Sequence, residues 1–191
     1  LIEVSWDPAS GEAKGPDKRR DKHGVVVVGY YKDEEGVTLA DVLVSEEYDV
    51  KDHQPSDVAK RCVELSRGWE PPADRSVVAV EINAAGSFAR STIRSHDKRI
   101  RIRTYRSKSS KQQRTEAVAP LGAAGMIHIL GRQPILERQI KRFAGNGTTA
   151  KGSDDAVDAM CLTMVKHLVK RAVGALADGG ESEEDAEAAA A

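Results

Sequence analysis

The sequence predicts an α/β protein: a mixed five-stranded sheet, three antiparallel strands followed by β–α units, flanked by helices. Three observations carry this reading. Apolar runs at Leu1–Trp6, Gly24–Tyr31, Val37–Ser45 and Val77–Ile82 have strand length and are bounded by turn residues. Stretches with helical spacing of apolar residues separate the later runs. The 191-residue chain is 40% hydrophobic and 31% charged, enough for one real core, but only 4% aromatic, so Val, Ile, Leu and Ala must build that core.

Leu1–Trp6 is the first strand, left through Asp7-Pro8. Pro8 to His23 is rich in Gly, Pro, Lys and Asp and reads as a mobile loop. Gly24–Tyr31 is unbroken and apolar, as in a strand buried on both faces. The turn Asp33-Glu-Glu-Gly36 joins it to Val37–Ser45 as an antiparallel hairpin. Pro55–Trp69 has helical spacing through Val58, Cys62 and Leu65, and Pro71-Pro72 ends it. Val77–Ile82 is the fourth strand. Gly86–Asp97 is a helix with Phe88, Ala89 and Ile93 inward.

Ile100, Ile102 and Thr104 alternate with Arg101, Arg103 and Tyr105, which predicts a half-exposed fifth strand. Ser109 or Ser110 can cap a helix running through Leu121, with Pro120 near its end. Met126–Leu130 is a short extended piece. Gln133–Phe143 is a helix with Ile135, Leu136, Gln139, Ile140 and Phe143 on one side. Gly145–Ser153 is a flexible loop. Asp154–Val173 is the last helix, its apolar stripe formed by Val157, Met160, Cys161, Met164, Leu168 and Val169. Residues 1–173 form the domain, and 174–191 form an acidic, Ala-rich, disordered tail. Right-handed crossovers then set the first and fourth strands side by side, parallel, at the centre of the sheet.

The formal net charge of -1 hides two opposed regions. Asp178 to Ala191 holds six acids and no base; without them 29 basic residues face 24 acidic ones, a body of +5. Ten Lys or Arg lie between Arg90 and Arg114, among them Arg101, Arg103, Arg106, Lys108, Lys111 and Arg114, against one acid, Asp97. A salt-bridged surface does not need so one-sided a run, which points to a polyanionic partner. Cys62 and Cys161 lack metal-ligand spacing and read as free buried thiols of a reducing cytosol. No segment resembles a signal peptide or a membrane span. The start without Met, directly in a strand, looks like a fragment cut at a domain boundary.

Asp7 and Glu81 end two apolar strands, and Asp155 and Asp158 open an apolar helix. Singly, each has a plain explanation. Asp7 suits an Asp-Pro turn, Asp154 or Ser153 an N-cap, and Asp155 a helix dipole. Glu81 is harder to dismiss, because a carboxylate closing a buried strand needs a partner or a metal. Asp158 lies three residues beyond Asp155, on the same helix face. If the strands are neighbours, the four carboxylates converge into an all-oxygen site for hard divalent cations. Asp21, in the first loop, could reach it.

Six segments, in order, resemble the nuclease domain of large terminase subunits of tailed bacteriophages. They are Trp6-Asp7-Pro8-Ala9; Asp21-Lys-His-Gly-Val-Val-Val-Val-Gly29; Val78-Ala-Val-Glu-Ile-Asn-Ala-Ala-Gly86; Ser107-Lys108 with Lys111-Gln-Gln-Arg-Thr115; Gly125-Met-Ile-His128 with Leu136-Glu137; and Ser153-Asp-Asp-Ala-Val-Asp-Ala159. The last departs from the family pattern, Asp154 standing where Pro is common. The resemblance implies a ribonuclease H-like fold and an endonuclease that cuts double-stranded DNA during genome packaging. It implies two Mg²⁺ or Mn²⁺ ions held by Asp7, Glu81 and Asp155, with Asp158 as a further ligand and Asp154 and Asp21 as additional candidates. Arg101, Arg103, Arg106, Lys108, Lys111 and Arg114 become candidates for DNA contact. The implied partners are an N-terminal ATPase motor, a portal and a small terminase subunit, in the host cytoplasm. No Walker motif occurs in this chain. Two other readings fit the same carboxylates: an integrase, transposase or junction resolvase of that fold, and a non-catalytic DNA-binding packaging domain.

Overall fold

The computed structural model describes residues 1–9, 13–14, 19–20, 22–69, 76–82, 88–106, 108–143 and 154–169. The tail from 174, the loop over 145–153, and Asp21 lie outside the described residues. The strands are β1 (Ile2–Asp7), β2 (Ala13–Lys14), β3 (Arg19–Arg20), β4 (Lys22–Lys32), β5 (Thr38–Asp49), β6 (Ser76–Glu81), β7 (Ile102–Tyr105) and β8 (Ile127–Ile129). The helices are α1 (Pro55–Gly68), α2 (Ala89–His96), α3 (Lys111–Ala123), α4 (Pro134–Phe143) and α5 (Asp155–Met164).

Among the described residues six strands, not the expected five, form the main sheet, in the order β7-β6-β1-β4-β5-β8. The sixth is the short extended piece, which pairs parallel to β5 from Ala40 to Val42. Three residues carry too little periodicity to announce a strand; the partner makes it one. Likewise, the region expected to be loop holds the small β2–β3 ladder, and β4 begins at Lys22. The central prediction holds: β1 runs antiparallel to β4 and parallel to β6. One extra residue, Leu43, bulges β5 opposite Val27 and Val28.

Helices cover both faces, so β4 is buried for most of its length, as its unbroken valines require. On one face Val4, Trp6, Val25, Val27, Val78 and Val80 pack under α1 and α2 through Val58, Cys62, Ala89 and Ile93. On the other, Val26, Val28 and Val42 meet α3, α4 and α5 through Val118, Leu136, Val157, Met160 and Met164. Both cysteines are buried and free, and burial pushes the Cys161 thiol up to about 12. Ser110, of the two candidates, caps α3: its Oγ accepts from Gln113 N–H at 3.2 Å, and Gln113 Oε1 accepts from Ser110 N–H at 2.9 Å.

One expectation is corrected in the C-terminal half and another refined. The last helix does not continue as α-helix; Val165–Val169 is a π-helical turn, which carries His167 to Glu3, Nε2 to Oε2 at 2.9 Å. The fifth strand is half-exposed as expected, Ile102, Arg103 and Thr104 being half-buried, but Tyr105 at its end is buried. Glu3 is fully buried on the adjoining face; Arg103 Nη1 and the Tyr105 hydroxyl both donate to it, at 2.7 and 2.5 Å. An alternating pattern cannot reveal that a buried carboxylate across the sheet will claim the polar side of the strand. Among the described residues, no helix is long and apolar enough to cross a membrane.

Candidate metal centre

Strand alternation aims the acids. Val4 and Trp6 enter the core under α1 and α2, so Glu3, Ser5 and Asp7 face the side where α5 lies. Trp6 pairs with Val80 in parallel register, and the next residues on the two strands are Asp7 and Glu81. Asp7 is braced from behind. Ala9 N–H donates to His23 Nδ1 at 2.9 Å and Trp6 Nε1–H approaches the same nitrogen at 3.4 Å, fixing the chain where it leaves β1. His23 is buried, and desolvation pushes its pKa down to about 4, so the ring is neutral and accepts at Nδ1.

The N-terminus of α5 is seated on the start of β4. Gly24, opposite Asp7 in the ladder, lies directly beneath the Asp155 carbonyl: a Cβ there would sit 2.1 Å from that oxygen. Only glycine permits this approach. Lys22 N–H donates to Asp155 Oδ2 at 3.1 Å. Val157 N–H, one of the orphan donors of the first turn, finds Gln139 Oε1 of α4 at 3.0 Å. Asp154 makes no side-chain cap; its carboxylate serves Lys111 instead, at 3.3 Å. Every residue of α5 is buried, so a single apolar stripe understates it.

Asp7, Glu81 and Asp158 each present a carboxylate oxygen such that all three lie within 4.8 Å of one another. All three residues are buried, with 6%, 8% and 3% of their surface exposed. Asp155, also buried, stands outside this trio and beside it, joined through Lys111. The trio thus takes Asp158, one helical turn further in, where the sequence reading ranked Asp155 first.

Two cations of α3 enter the same cleft. Lys111 Nζ lies 3.5 Å from Asp7, 3.3 Å from Asp154, 3.2 Å from Asp155 and 3.4 Å from Asp158. Arg114 grips Asp158, with Nε to Oδ1 at 2.8 Å and Nη2 to Oδ2 at 2.6 Å, and its Nη1 reaches Glu81 at 3.5 Å. Burial, only partly offset by Lys111, and repulsion from Asp158, Asp155 and Glu81 hold the Asp7 carboxyl well above its ordinary range. Glu81 and Asp154 are raised as well, burial again dominating. The donor set is all oxygen, crowded and rich in negative charge, which suits a hard divalent cation.

The six basic candidates divide. Arg101, Arg106 and Lys108 are on the surface. Arg103 serves Glu3, and Lys111 and Arg114 serve the acidic cleft. Sequence reasoning did not single out Gly24 or His23 as site residues; a glycine and a histidine opening a valine run at the foot of a central strand were the available signal. It also passed over a basic cleft of about 370 Å³ on α4, lined by Arg132, Pro134, Glu137, Arg138, Lys141 and Arg142.

A six-stranded mixed sheet between helical layers, with buried carboxylates delivered by two central parallel strands and one helix, defines the ribonuclease H-like class. The family described as "Terminase RNaseH-like domain" matches residues 4–167, and the chain belongs to it. Among solved structures, the large terminase of a thermophilic bacteriophage aligns with TM-score 0.60 at 12% identity, over 86% of this chain and 39% of that one. The chain therefore spans well under half of that protein. The large terminase nuclease of the thermophilic phage G20c with bound zinc aligns with TM-score 0.52 at 17% identity, covering 87% of this chain and 82% of that one. The same nuclease with bound magnesium gives TM-score 0.51 at 18% identity, covering 84% and 79%. These likenesses establish the fold. No curated protein matches the chain significantly.

Proposed function

We propose that this domain is a metal-dependent endonuclease that cuts double-stranded DNA during phage genome packaging, with two divalent ions and little sequence preference. The observation that carries this reading is the buried Asp7–Glu81–Asp158 trio, its oxygens within 4.8 Å of one another. Mg²⁺ or Mn²⁺ suits such ligands, and the G20c nuclease, of the same fold, is known with magnesium and with zinc bound.

Asp7, Glu81 and Asp158 would hold the ions, with Asp155 and Asp154 completing the acidic wall beside them. Bound there, divalent cations supply an activated water and stabilise the charge on the phosphate and leaving oxygen. The protein's own work is placement. Arg114 locks the Asp158 carboxylate through two nitrogens and anchors its own Nη1 on the Ser109 carbonyl at 2.9 Å. Burial raises the Asp7 and Glu81 carboxyls, and since both must be ionised to ligate, metal affinity should rise with pH. Arg101, Arg106 and Lys108 contact backbone phosphates, which sets register without reading bases. In the full protein the partners are an ATPase motor, a portal and a small subunit, acting in the host cytoplasm.

A plasmid-nicking assay in Mn²⁺ tests this. Asp7→Asn and Glu81→Gln should abolish cutting while DNA binding, measured by anisotropy, persists and weakens steeply with salt. Full cutting by either purified variant refutes the assignment. Preference for a branched junction, or binding without any metal-dependent nicking, would instead favour the resolvase or the packaging-domain reading.

A further inference from the structure

We propose that Lys111 is a displaceable resident cation, which must leave the carboxylate cleft for the site to load fully with metal, and which DNA phosphate draws out. This rests on the nuclease reading above and adds a coupling between substrate and metal.

Three observations support it. The first is position. Lys111 Nζ is 3.2–3.5 Å from four carboxylates contributed by β1, by α5 and by the residue before α5, so it stands where oxygen ligands converge. The second is the contrast with Arg114, one turn later on α3. The Arg114 side chain is 6% exposed, bound to Asp158 through two nitrogens, and fixed. The Lys111 side chain is 40% exposed, on a flexible stem at the first position of α3, above carboxylates that are 3–22% exposed. It sits at the mouth of the cleft, where a flexible stem lets its ammonium move out into solvent.

The third is charge. Asp7, Glu81, Asp154, Asp155 and Asp158, fully ionised, carry five negative charges, and fixed Arg114 leaves four. Two divalent cations neutralise four. With Lys111 in place only three remain, so the ammonium and the last ion compete for one charge and for the same oxygens. A phosphate at the mouth of the cleft offers the ammonium an alternative partner. Displacement by metal and capture by DNA then favour one another, and by linkage each raises the affinity for the other by an equal factor. Lys111 offsets part of the cleft's negative charge until DNA draws it out, and hydrolytic competence waits for DNA.

Isothermal titration of Mn²⁺ into the intact chain, without DNA, tests this on wild type, Lys111→Met and the charge-matched surface control Lys60→Met. Lys111→Met should bind Mn²⁺ about tenfold or more tighter than wild type, within the usual range of such couplings. Lys60→Met should match wild type. A short duplex, kept cold and checked uncut afterwards, should raise wild-type affinity towards that of Lys111→Met and leave the variant little changed. Equal affinities for wild type and Lys111→Met overturn the proposal while leaving the metal site standing; no Mn²⁺ binding by any form overturns the nuclease reading with it. If Lys111→Met fails to fold, Lys111→Arg serves: its guanidinium, held by forked hydrogen bonds, should leave less readily and weaken Mn²⁺ binding, and unchanged affinity would overturn the idea.

Discussion

Gly24→Ala is the sharpest test of how the fold builds the site. The added Cβ would lie 2.1 Å from the Asp155 carbonyl oxygen, 2.4 Å from its carbon and 2.9 Å from the Ala156 nitrogen. Ordinary contact begins near 3.4 Å, so the two backbones must separate by roughly 1.3 Å. Neither can do so freely. β4 is held on both sides, Gly24 pairing with Asp7 and with Glu47, and α5 is buried all round. Overpacking of this kind costs about 1–3 kcal/mol, or a melting point lower by roughly 2–12 °C for a chain of this size. The same displacement stretches the Lys22-to-Asp155 bond and shifts Asp158 against Asp7; misplacing reacting groups by about 1 Å can cost about 100-fold in rate. Urea unfolding, Mn²⁺ titration and plasmid nicking should all register the change. Gly29→Ala in the same strand is the control: its Cβ would meet Ile2 Cδ1 at 3.4 Å and Leu43 Cδ1 at 3.6 Å, both yielding side-chain tips. Wild-type stability and nicking in Gly24→Ala would show that α5 is not seated on β4 as described.

Other outcomes follow from the same contacts. Asp158→Asn should lower stability by about 3 kcal/mol, because it strands a buried guanidinium, and should lose Mn²⁺ binding; an unchanged urea midpoint would contradict the Arg114 pairing. Burial alone would raise the Glu3 carboxyl, but bonds from His167 and Tyr105 and the charge of Arg103 outweigh it and hold the group below its ordinary value. Its stabilising contribution is therefore present at neutral pH and lost as pH falls below the ordinary carboxyl range, so Glu3→Gln should be costly at pH 7 and nearly neutral in acid. His23, ordinarily near 6.5 and pushed down to about 4, stabilises only as a neutral ring. Its contribution is complete above about pH 6.5 and fades towards pH 4, at most about 1.4 kcal/mol per pH unit. His23→Gln should flatten the stability slope between those limits, and an identical slope would count against the Ala9 and Trp6 contacts.

Much of this centre was legible in the primary structure. Apolar runs closed by Asp7 and Glu81 announced two strands with acids at their ends, and chain order alone made those strands parallel neighbours. Ser110 was legible as a cap because Gln113 follows at capping-box spacing. What escaped depends on distant partners. β8 exists only because β5 offers it a free edge. Arg103 and Tyr105 turn inward because Glu3, about a hundred residues earlier, needs them. Of the two helix acids, Asp158 brings an oxygen within 4.8 Å of Asp7 and Glu81, a distinction that spacing along one helix cannot express.

The central claim is that carboxylates from β1, β6 and α5 jointly hold divalent metal. Anomalous diffraction from a crystal soaked in Mn²⁺ addresses it directly. Peaks among Asp7, Glu81 and Asp158 are expected, with Lys111 Nζ moved away from the carboxylates it otherwise touches. Peaks confined to other surface acids, with Lys111 still seated among its four partners, would contradict it.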